Sequence, residues 1–242
     1  MGIVEEILIK QTNQLQIRTN ELSEITISTH HELITPFRNV LLFSQKLKVE
    51  YGHPGTLMDT KGEGYISFIT DGANKAIEIV KALQRYIEIE TNPQVEQVQM
   101  DGLFDETVKK ISKNYHIAFE VKKNSPLPVL AANKAHLTDI LAILLDNSFK
   151  YSKPNHSLEI TVTWEKVQQK YLFSLMDNGI GFEQSEAEKI FVLFSRLHTE
   201  KTYSGLGLGL ALVKKIINIM GGELWAKSQP NQGATFYFTL PG

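Results

Sequence analysis

The chain has 242 residues, 42% of them hydrophobic, with a formal net charge of -2 and no cysteine. The hydrophobic share suffices for a packed core, and the near-zero charge gives no electrostatic case for nucleic acid or an anionic membrane as partner. The lack of cysteine excludes disulfides, thiolate nucleophiles and cysteine-ligated zinc, and fits a reducing, cytoplasmic compartment. No apolar run approaches the roughly 20 residues that span a bilayer, so membrane attachment would need segments absent from this chain.

Residues 4–50 have the pattern of one long helix, and leucines recur in it at the seven-residue spacing of a coiled-coil seam, at Leu8, Leu15 and Leu22. A stretch rich in helix breakers, 51–64, leads into a second amphipathic helix at about 62–90. Two long helices joined by a loop predict an antiparallel hairpin. One apolar stripe per helix cannot be buried within a single hairpin, so the sequence predicts a homodimer that forms a four-helix bundle.

A boundary is predicted at "TNPQVEQVQMDG", which divides the chain into domains 1–92 and 93–242. Beyond it, helices and strands intermix without regular βαβ alternation, which predicts an α+β domain. The predicted elements are a helix at 102–113 with Asp101 as N-cap, a strand at "IAFEVKK", a helix at 133–152, a strand hairpin from "SLEITVTWEK" to "KYLFSLMDNG", a helix near 184–191, a helix at 208–220 and a final strand pair.

Two adjacent histidines in the first helix differ in the direction that they face. With Leu33 in the apolar stripe taken as zero, His31 projects roughly 160° away and His30 about 60° away. His31 is therefore presented to solvent, next to Glu32, which can hold the imidazole or accept its proton. Pro36 cannot donate a backbone hydrogen bond, so the helix is predicted to bend or to leave a carbonyl free one turn after His31. An ordinary exposed histidine is the alternative interpretation.

Glycine-rich segments follow a predicted strand and precede a predicted helix. "DNGIGF" places Asp177 at the strand end before Gly179 and Gly181, and "GLGLGLALVKK" opens the later helix with Gly205, Gly207 and Gly209. Backbone N–H groups at such a junction can approach a phosphate, whose charge the helix N-terminus favours. Each segment alone is weak evidence, because a pair of ordinary turns would read the same way.

A polar cluster is predicted at the end of the helix 133–152. Asn147, Lys150 and Tyr151 are three and four residues apart and share one region of its last turn. The amide oxygen of Asn147 suits Mg²⁺, and Lys150 can meet a phosphate. A polar last helical turn is the alternative, but the three segments in this order in one domain together indicate a nucleotide site.

In these segments the chain resembles the transmitter region of sensor histidine kinases, especially the phytochrome-like branch. "HELITPF" resembles the phospho-acceptor box, "LLDNSFKYS" the N box, "DNGIGF" the first glycine box, "IFVLFSRLH" the F box, and the segment from "GLGLGLALVKK" onwards the second glycine box. The resemblance covers roughly residues 20 to 241. It implies a dimerising two-helix hairpin followed by an α/β-sandwich domain of the Bergerat type that binds ATP.

The resemblance also implies roles for individual residues. In the hairpin, His31 would be the phosphorylated histidine, and Glu32 with Thr35 would place a water for dephosphorylating the partner. In the nucleotide site, the implied set is Asp177 on the adenine amino group, Asn147 on Mg²⁺, Lys150 on a phosphate with Tyr151 beside it, and Gly179, Gly181, Gly205, Gly207 and Gly209 lining the pocket. Residues 183–204 would form a lid anchored by Phe191 and Phe194, with Arg196, His198 and Lys201 near phosphate. The implied partner is the receiver domain of a response regulator.

One position departs from the family pattern. Four residues before the N-box asparagine the family usually has a polar residue, often Asn, and this chain has Ile143. An isoleucine cannot bind a metal or orient a water, so we expect lower magnesium affinity or a slower autokinase. Ile143 motivates one alternative to an active histidine autokinase, a kinase-like module that binds nucleotide or a partner without transferring phosphate. A second alternative is an ATP-driven conformational machine with the same nucleotide fold.

Overall fold

The computed structural model describes residues 32–53, 58–89, 94–197 and 205–242. Contacts divide the chain into two compact units, Met1–Arg85 and Tyr86–Gly242. Within the described residues, no helix combines the length and apolar character needed to cross a membrane. The leucines of the predicted coiled coil, together with His30 and His31, lie outside these ranges.

The first unit contains the predicted hairpin, which is confirmed for the described residues. Helix α1 covers residues 32–51 and helix α2 covers Thr60–Glu88. The Phe43 ring stacks on Phe68 with 4.4 Å between centroids, and the Tyr65 hydroxyl donates to Glu50 at 3.0 Å. Because a residue farther along α1 meets a residue earlier in α2, the two helices run antiparallel.

Pro36 marks a close approach of the two helices. It is buried inside α1, which continues as a helix on both sides of it. Its carbonyl oxygen lies 3.0 Å from the position that a Cβ at Gly72 would occupy, and a Val40 methyl lies 3.1 Å from the same position. The missing side chain at Gly72 therefore lets α2 pack directly against the proline turn.

The second unit combines helices with two β-sheets, in which most strand pairs are antiparallel. Its elements are β1 Glu96–Gln99, α3 Met100–Ser112, β2 Phe119–Lys123, β3 Val129–Ala132, α4 Lys134–Lys150, β4 Leu158–Val167, β5 Lys170–Asp177, α5 Gly209–Ile219, β6 Leu224–Gln229 and β7 Gly233–Pro241. The main sheet has the strand order β2-β4-β5-β7-β6, in which only β2 and β4 are parallel. β1 and β3 pair antiparallel as a second, two-stranded sheet. The predicted α+β class is thereby confirmed.

Alternation along β5 decides which of its side chains enter the core. Phe173, Leu175 and Asp177 are buried, whereas Ser174 is half-buried and Met176 is exposed. Successive strand residues face opposite sides of a sheet, so Asp177 lies on the same face as the two apolar residues. The strand thus carries a carboxylate to the end of the buried face.

Two short strands and one turn region differ from the prediction. β1 lies within the predicted boundary segment and β3 lies between two predicted elements where no strand was predicted, and each is only four residues long. The helix predicted near 184–191 is instead a pair of short 3-10 helices, Gln184–Glu186 and Lys189–Phe191. The chain then turns extended at Val192 and left-handed at Phe194, which ends any helical run.

Asp101 is not the N-cap of α3. The N-cap is Gln99, whose side chain makes no capping bond, and Asp101 lies in the first turn. Its carboxylate instead accepts from the Leu127 N–H and from the Lys123 ammonium, each at 3.0 Å. These bonds lower the pKa of Asp101 and connect α3 to the last residue of β2 and to the segment between β2 and β3.

Candidate active site

Asp177 is fixed by backbone groups from two different segments. Its Oδ1 accepts from the Gly179 N–H at 2.9 Å and from the Ala234 N–H at 3.2 Å. Its Oδ2 lies 3.5 Å from the Ser148 hydroxyl on α4. The side chain is only 7% exposed, so the carboxylate is held in one orientation inside the domain.

Burial and hydrogen bonding act in opposite directions on this carboxylate. Burial raises the pKa of Asp177, because a low dielectric disfavours the charged form, and the net pKa is about 6. The two backbone N–H groups and the Ser148 hydroxyl lower the pKa and offset part of that effect. Asp177 is therefore ionised at neutral pH and is a strong hydrogen-bond acceptor in a nearly dry site.

The loop after β5 is tied to the end of α4. The Ile180 N–H donates to the Tyr151 carbonyl at 2.9 Å, and a Cβ at Gly179 would lie 2.5 Å from the same oxygen. Gly181 has φ +61°, a left-handed conformation that favours glycine. These contacts place the last turn of α4, with its polar side chains, beside Asp177.

Lys150 extends along the second glycine-rich segment. Its Nζ lies 4.9 Å from the centre of the Tyr151 ring and 2.8 Å from the position that a Cβ at Gly205 would occupy. The ammonium is thus held beside the turn that leads into α5. A cation in this place can neutralise an anionic group bound at the turn.

Gly207 is packed against the chain from the 190s. A Cβ there would lie 2.6 Å from the Ser195 carbonyl oxygen and 3.0 Å from Cγ of Arg196, and φ is +71°. Both the conformation and the space exclude a side chain at this position. Cγ of Arg196 therefore lies beside the glycine turn, and a phosphate contact of its guanidinium stays a prediction. His198 and Lys201 lie outside the described residues.

Gly209 begins α5 and faces α4. Among described residues outside its own helix, the one atom within 4 Å of its Cβ position is Cγ2 of Ile143, at 3.0 Å. The side chain of the residue that departs from the family pattern thus lies beside the glycine turn.

Asn147 is half-buried on α4, one turn after Ile143. In the described part of the chain its amide has no hydrogen-bond partner, so its oxygen is available to a ligand. No group of three or more His, Cys, Asp or Glu side chains suited to a metal occurs in that part either. Asn147 therefore fits a magnesium ion that takes most of its other ligands from phosphate and water.

The predicted residues fall into separate groups. Asp177, Asn147, Lys150, Tyr151, Arg196 and the five glycines all belong to the second unit. Glu32 is half-buried and Thr35 exposed on α1, in the first unit. Two contributors were missed: Ser148, which could have been noticed as a hydroxyl among apolar residues of α4, and the Ala234 N–H, which no sequence signal marks.

Residues of the second unit match a known family, and the chain as a whole is similar to known sensor proteins. Residues 132–242 match the family described as histidine kinase-, DNA gyrase B- and HSP90-like ATPase. Cyanobacterial phytochrome A of Nostoc sp. is 28% identical over 235 residues, which are 97% of this chain and 30% of that protein. Sensor protein RprX of Bacteroides fragilis is 28% identical over 246 residues, covering 97% of this chain and 46% of that protein. The chain thus spans less than half of the length of either relative.

A solved structure extends the likeness to the whole fold. The histidine kinase ThkA, in complex with the response regulator protein TrrA, superposes with a TM-score of 0.68 at 20% identity, covering 100% of this chain and 68% of that one. That identity supports the fold alone, and the two sequence relatives show what the chain is similar to. Residues 132–242 therefore form an ATPase domain of the matched family, and the similarities along the chain support a transmitter region of the sensor histidine kinase type.

Proposed function

We propose that the chain is a histidine autokinase, in which residues 93–242 bind ATP and phosphorylate His31 in the dimerisation and phosphotransfer domain 1–92. The observation that carries the proposal is the buried Asp177 carboxylate, held by the Gly179 and Ala234 N–H groups beside the glycine turns. This acceptor suits the amino group of adenine, because a desolvated carboxylate rewards a donor that replaces water.

The rest of the nucleotide would lie along the face of α4 and the turn 205–209. Asn147 would give its amide oxygen to Mg²⁺, and Lys150 and Arg196 would neutralise phosphate oxygens, joined by His198 and Lys201 from the lid. Magnesium supplies charge neutralisation between the phosphates when bound. The chain's own part is to position the γ-phosphoryl group and to exclude water around it.

The transfer step needs a neutral imidazole. A ring nitrogen of His31 would form a bond to the γ-phosphorus as the bond to the bridging oxygen of ADP breaks, and Glu32 would stabilise the imidazole as it becomes positive. The phosphoryl group would then pass from His31 to an aspartate on a receiver domain. Glu32 and Thr35, one helical turn apart on α1, would orient a water when the chain acts as a phosphatase.

The proposed partners are a second copy of the chain and a response regulator. Exposed apolar side chains on α1 and α2 support the homodimer, among them Phe37, Leu41, Ile77 and Val80. The fold likeness to ThkA, whose structure contains the response regulator protein TrrA, supports the receiver domain. Each hairpin would contribute two helices to a four-helix bundle.

A nucleotide-binding module without transfer is the second candidate. The observation that favours it is the apolar contact of Ile143 with Gly209, at a position that would otherwise offer a polar group to magnesium or water. A conformational ATPase of the gyrase or HSP90 kind shares the family match, but it gives no role to a histidine on a dimerisation helix.

Labelling with γ-³²P-ATP separates the candidates. We expect the wild-type chain to acquire acid-labile, base-stable label, and His31→Gln to lose it. His30→Gln is the matched control, since it changes the adjacent residue of the same helix and is expected to keep the label. Label that persists in His31→Gln and disappears in His30→Gln would identify His30, and not His31, as the phosphorylated residue. ATP binding with no label at all would favour the binding module.

A further inference from the structure

Three side chains on α4 form one face toward the glycine turn. Ile143, Asn147 and Lys150 fall within about 60° of one another on a helix that turns 100° per residue. Lys150 reaches Gly205 at the start of the turn, and Ile143 reaches Gly209 at its end. Asn147, the proposed magnesium ligand, lies between these two contacts.

The contact made by Ile143 is rigid. A β-branched side chain in a helix has one strongly preferred χ1 rotamer, so its Cγ2 methyl has a nearly fixed position relative to the α4 backbone. That methyl lies 3.0 Å from the position that a Cβ at Gly209 would occupy, so it faces this glycine, and an alanine there would meet it more tightly than in ordinary van der Waals contact. α4 and α5 are packed against each other, so the methyl limits how closely the first turn of α5 can approach.

The start of α5 is fixed by packing, since Leu208, Ala211 and Leu212 are buried. The N-cap Leu208 makes no side-chain capping bond. The Ser195 carbonyl and Cγ of Arg196 lie close to Gly207 and would meet a Cβ placed there. The turn 205–209 therefore lies next to the 195–196 segment at Gly207 and next to the side chain of Ile143 at Gly209.

We propose that Ile143 is a positioning residue for the nucleotide: its Cγ2 methyl sets the distance between the start of α5 and α4, and thereby holds the turn 205–209 over Asn147 and Lys150. The inference rests on the proposed function, because the turn is taken to receive the phosphates. It assigns a steric role to a position where the family usually has a polar one.

Two substitutions at position 143 separate the effect of the Cγ2 methyl from the effect of side-chain volume. Ile143→Val keeps the β-branch and Cγ2, whereas Ile143→Leu keeps the side-chain volume and removes Cγ2. We expect Ile143→Leu to weaken ATP binding roughly threefold to tenfold, the range for loss of one packing contact, and Ile143→Val to retain most of the affinity. Ile140→Leu makes the same change one turn earlier in the buried core, and should lower the Tm without changing ATP affinity.

Gly209 provides the reciprocal test. Its φ lies outside the left-handed region, so Gly209→Ala adds a methyl without backbone strain, and the described neighbour that it meets is Ile143. We expect Gly209→Ala alone to weaken ATP binding. Combined with Ile143→Leu, which vacates that space, it should recover affinity instead of adding a second loss.

The measurements are the ATP dissociation constant by calorimetry, the autophosphorylation rate at saturating ATP, and a thermal melt of each variant. A lower affinity confined to variants that lose or crowd the methyl, with recovery in the double variant, supports the positioning role. Equal affinities of the Leu and Val variants, or additive losses in the double variant, would overturn it. A wild-type chain that binds no ATP would instead overturn the proposed function, and this inference with it.

Discussion

A carboxylate at position 177 is useful to the site and unfavourable for the fold. Burial raises its pKa to about 6, so at neutral pH the folded domain holds a charge that the unfolded chain would hold more easily. The Gly179 and Ala234 N–H groups both donate to Oδ1, and the Ser148 hydroxyl faces Oδ2. An asparagine amide fits this arrangement, since its oxygen can accept both N–H bonds and its nitrogen can donate to the hydroxyl.

We therefore predict that Asp177→Asn stabilises the apo domain while it weakens ATP binding. Removing the buried charge should raise the free energy of unfolding at neutral pH by about 1–3 kcal/mol, from a pKa shift of about two units. The Asn nitrogen would face the adenine amino group, donor against donor, and the loss of a charge-assisted bond costs roughly 1.5–3 kcal/mol of binding. Thermal melts and calorimetry measure the two effects.

The pH dependence gives the same prediction a second readout. Because the folded pKa of Asp177 is raised, its contribution to stability falls as pH increases from about 4 to about 6. The Tm advantage of Asp177→Asn should be largest above pH 6 and disappear below about pH 4. Asp146→Asn is the matched control. The Tyr115 hydroxyl donates to the Asp146 carboxylate at 2.8 Å, and the oxygen of an asparagine amide can still accept this hydrogen bond. An equal loss of ATP affinity in both variants would contradict an adenine-specific role.

At the scale of elements, long segments with a strong hydrophobic period could be predicted from the sequence, whereas short strands that form only by pairing could not. α4 and the β4–β5 hairpin follow from long runs with a clear 3.6- or 2-residue period. β1 and β3 are four residues each, with one and two buried positions, so they carry almost no period of their own and form only by pairing with each other. For the same reason the Ala234 bond to Asp177 could not be predicted, because it depends on β5 pairing with β7, 57 residues away.

The hairpin makes a prediction about two glycines of α2. A Cβ at Gly64 would meet no described atom within 4 Å, whereas one at Gly72 would meet the Pro36 carbonyl and Val40. Gly64→Ala should stabilise the helix by up to about 1 kcal/mol, because alanine has the higher helix propensity. Gly72→Ala should lose that gain or destabilise, and Gly72→Leu should destabilise by about 1–3 kcal/mol through overpacking. Urea unfolding measures all three; equal stabilisation by both alanines would contradict the close approach at Pro36.

At the scale of the whole molecule, the hairpin exposes more apolar surface than a lone helix pair should. Ile77 and Val80 on α2 are 52% and 51% exposed, and Phe37 and Leu41 on α1 are 56% and 60% exposed. These side chains would be buried in a bundle made by two hairpins. The sequence predicted that each helix has an apolar stripe that one hairpin cannot bury, and the exposure of Phe68 as well as Val80 on α2 agrees with this.

We expect the wild-type chain to be a dimer and Val80→Glu to shift it toward monomer, because a carboxylate inside the bundle would be desolvated without a partner. Lys81→Glu places the same side chain one position away, about 100° around the helix, and should remain dimeric. Light scattering at micromolar concentration measures both. A monomeric wild type would contradict the bundle, and a dimeric Val80→Glu would place the interface on another face.

The order of the main sheet has a consequence for how the domain is made. β7 follows all the other described strands in sequence, yet it lies between β5 and β6 and supplies the Ala234 N–H to Asp177. A ribosome that has translated every glycine-rich segment has therefore not yet produced a complete nucleotide pocket. Until residues 233–241 emerge, β5 and β6 have unpaired edges, which favour wrong partners in a nascent chain. A message truncated before residue 233 would encode all the recognisable boxes and no finished site.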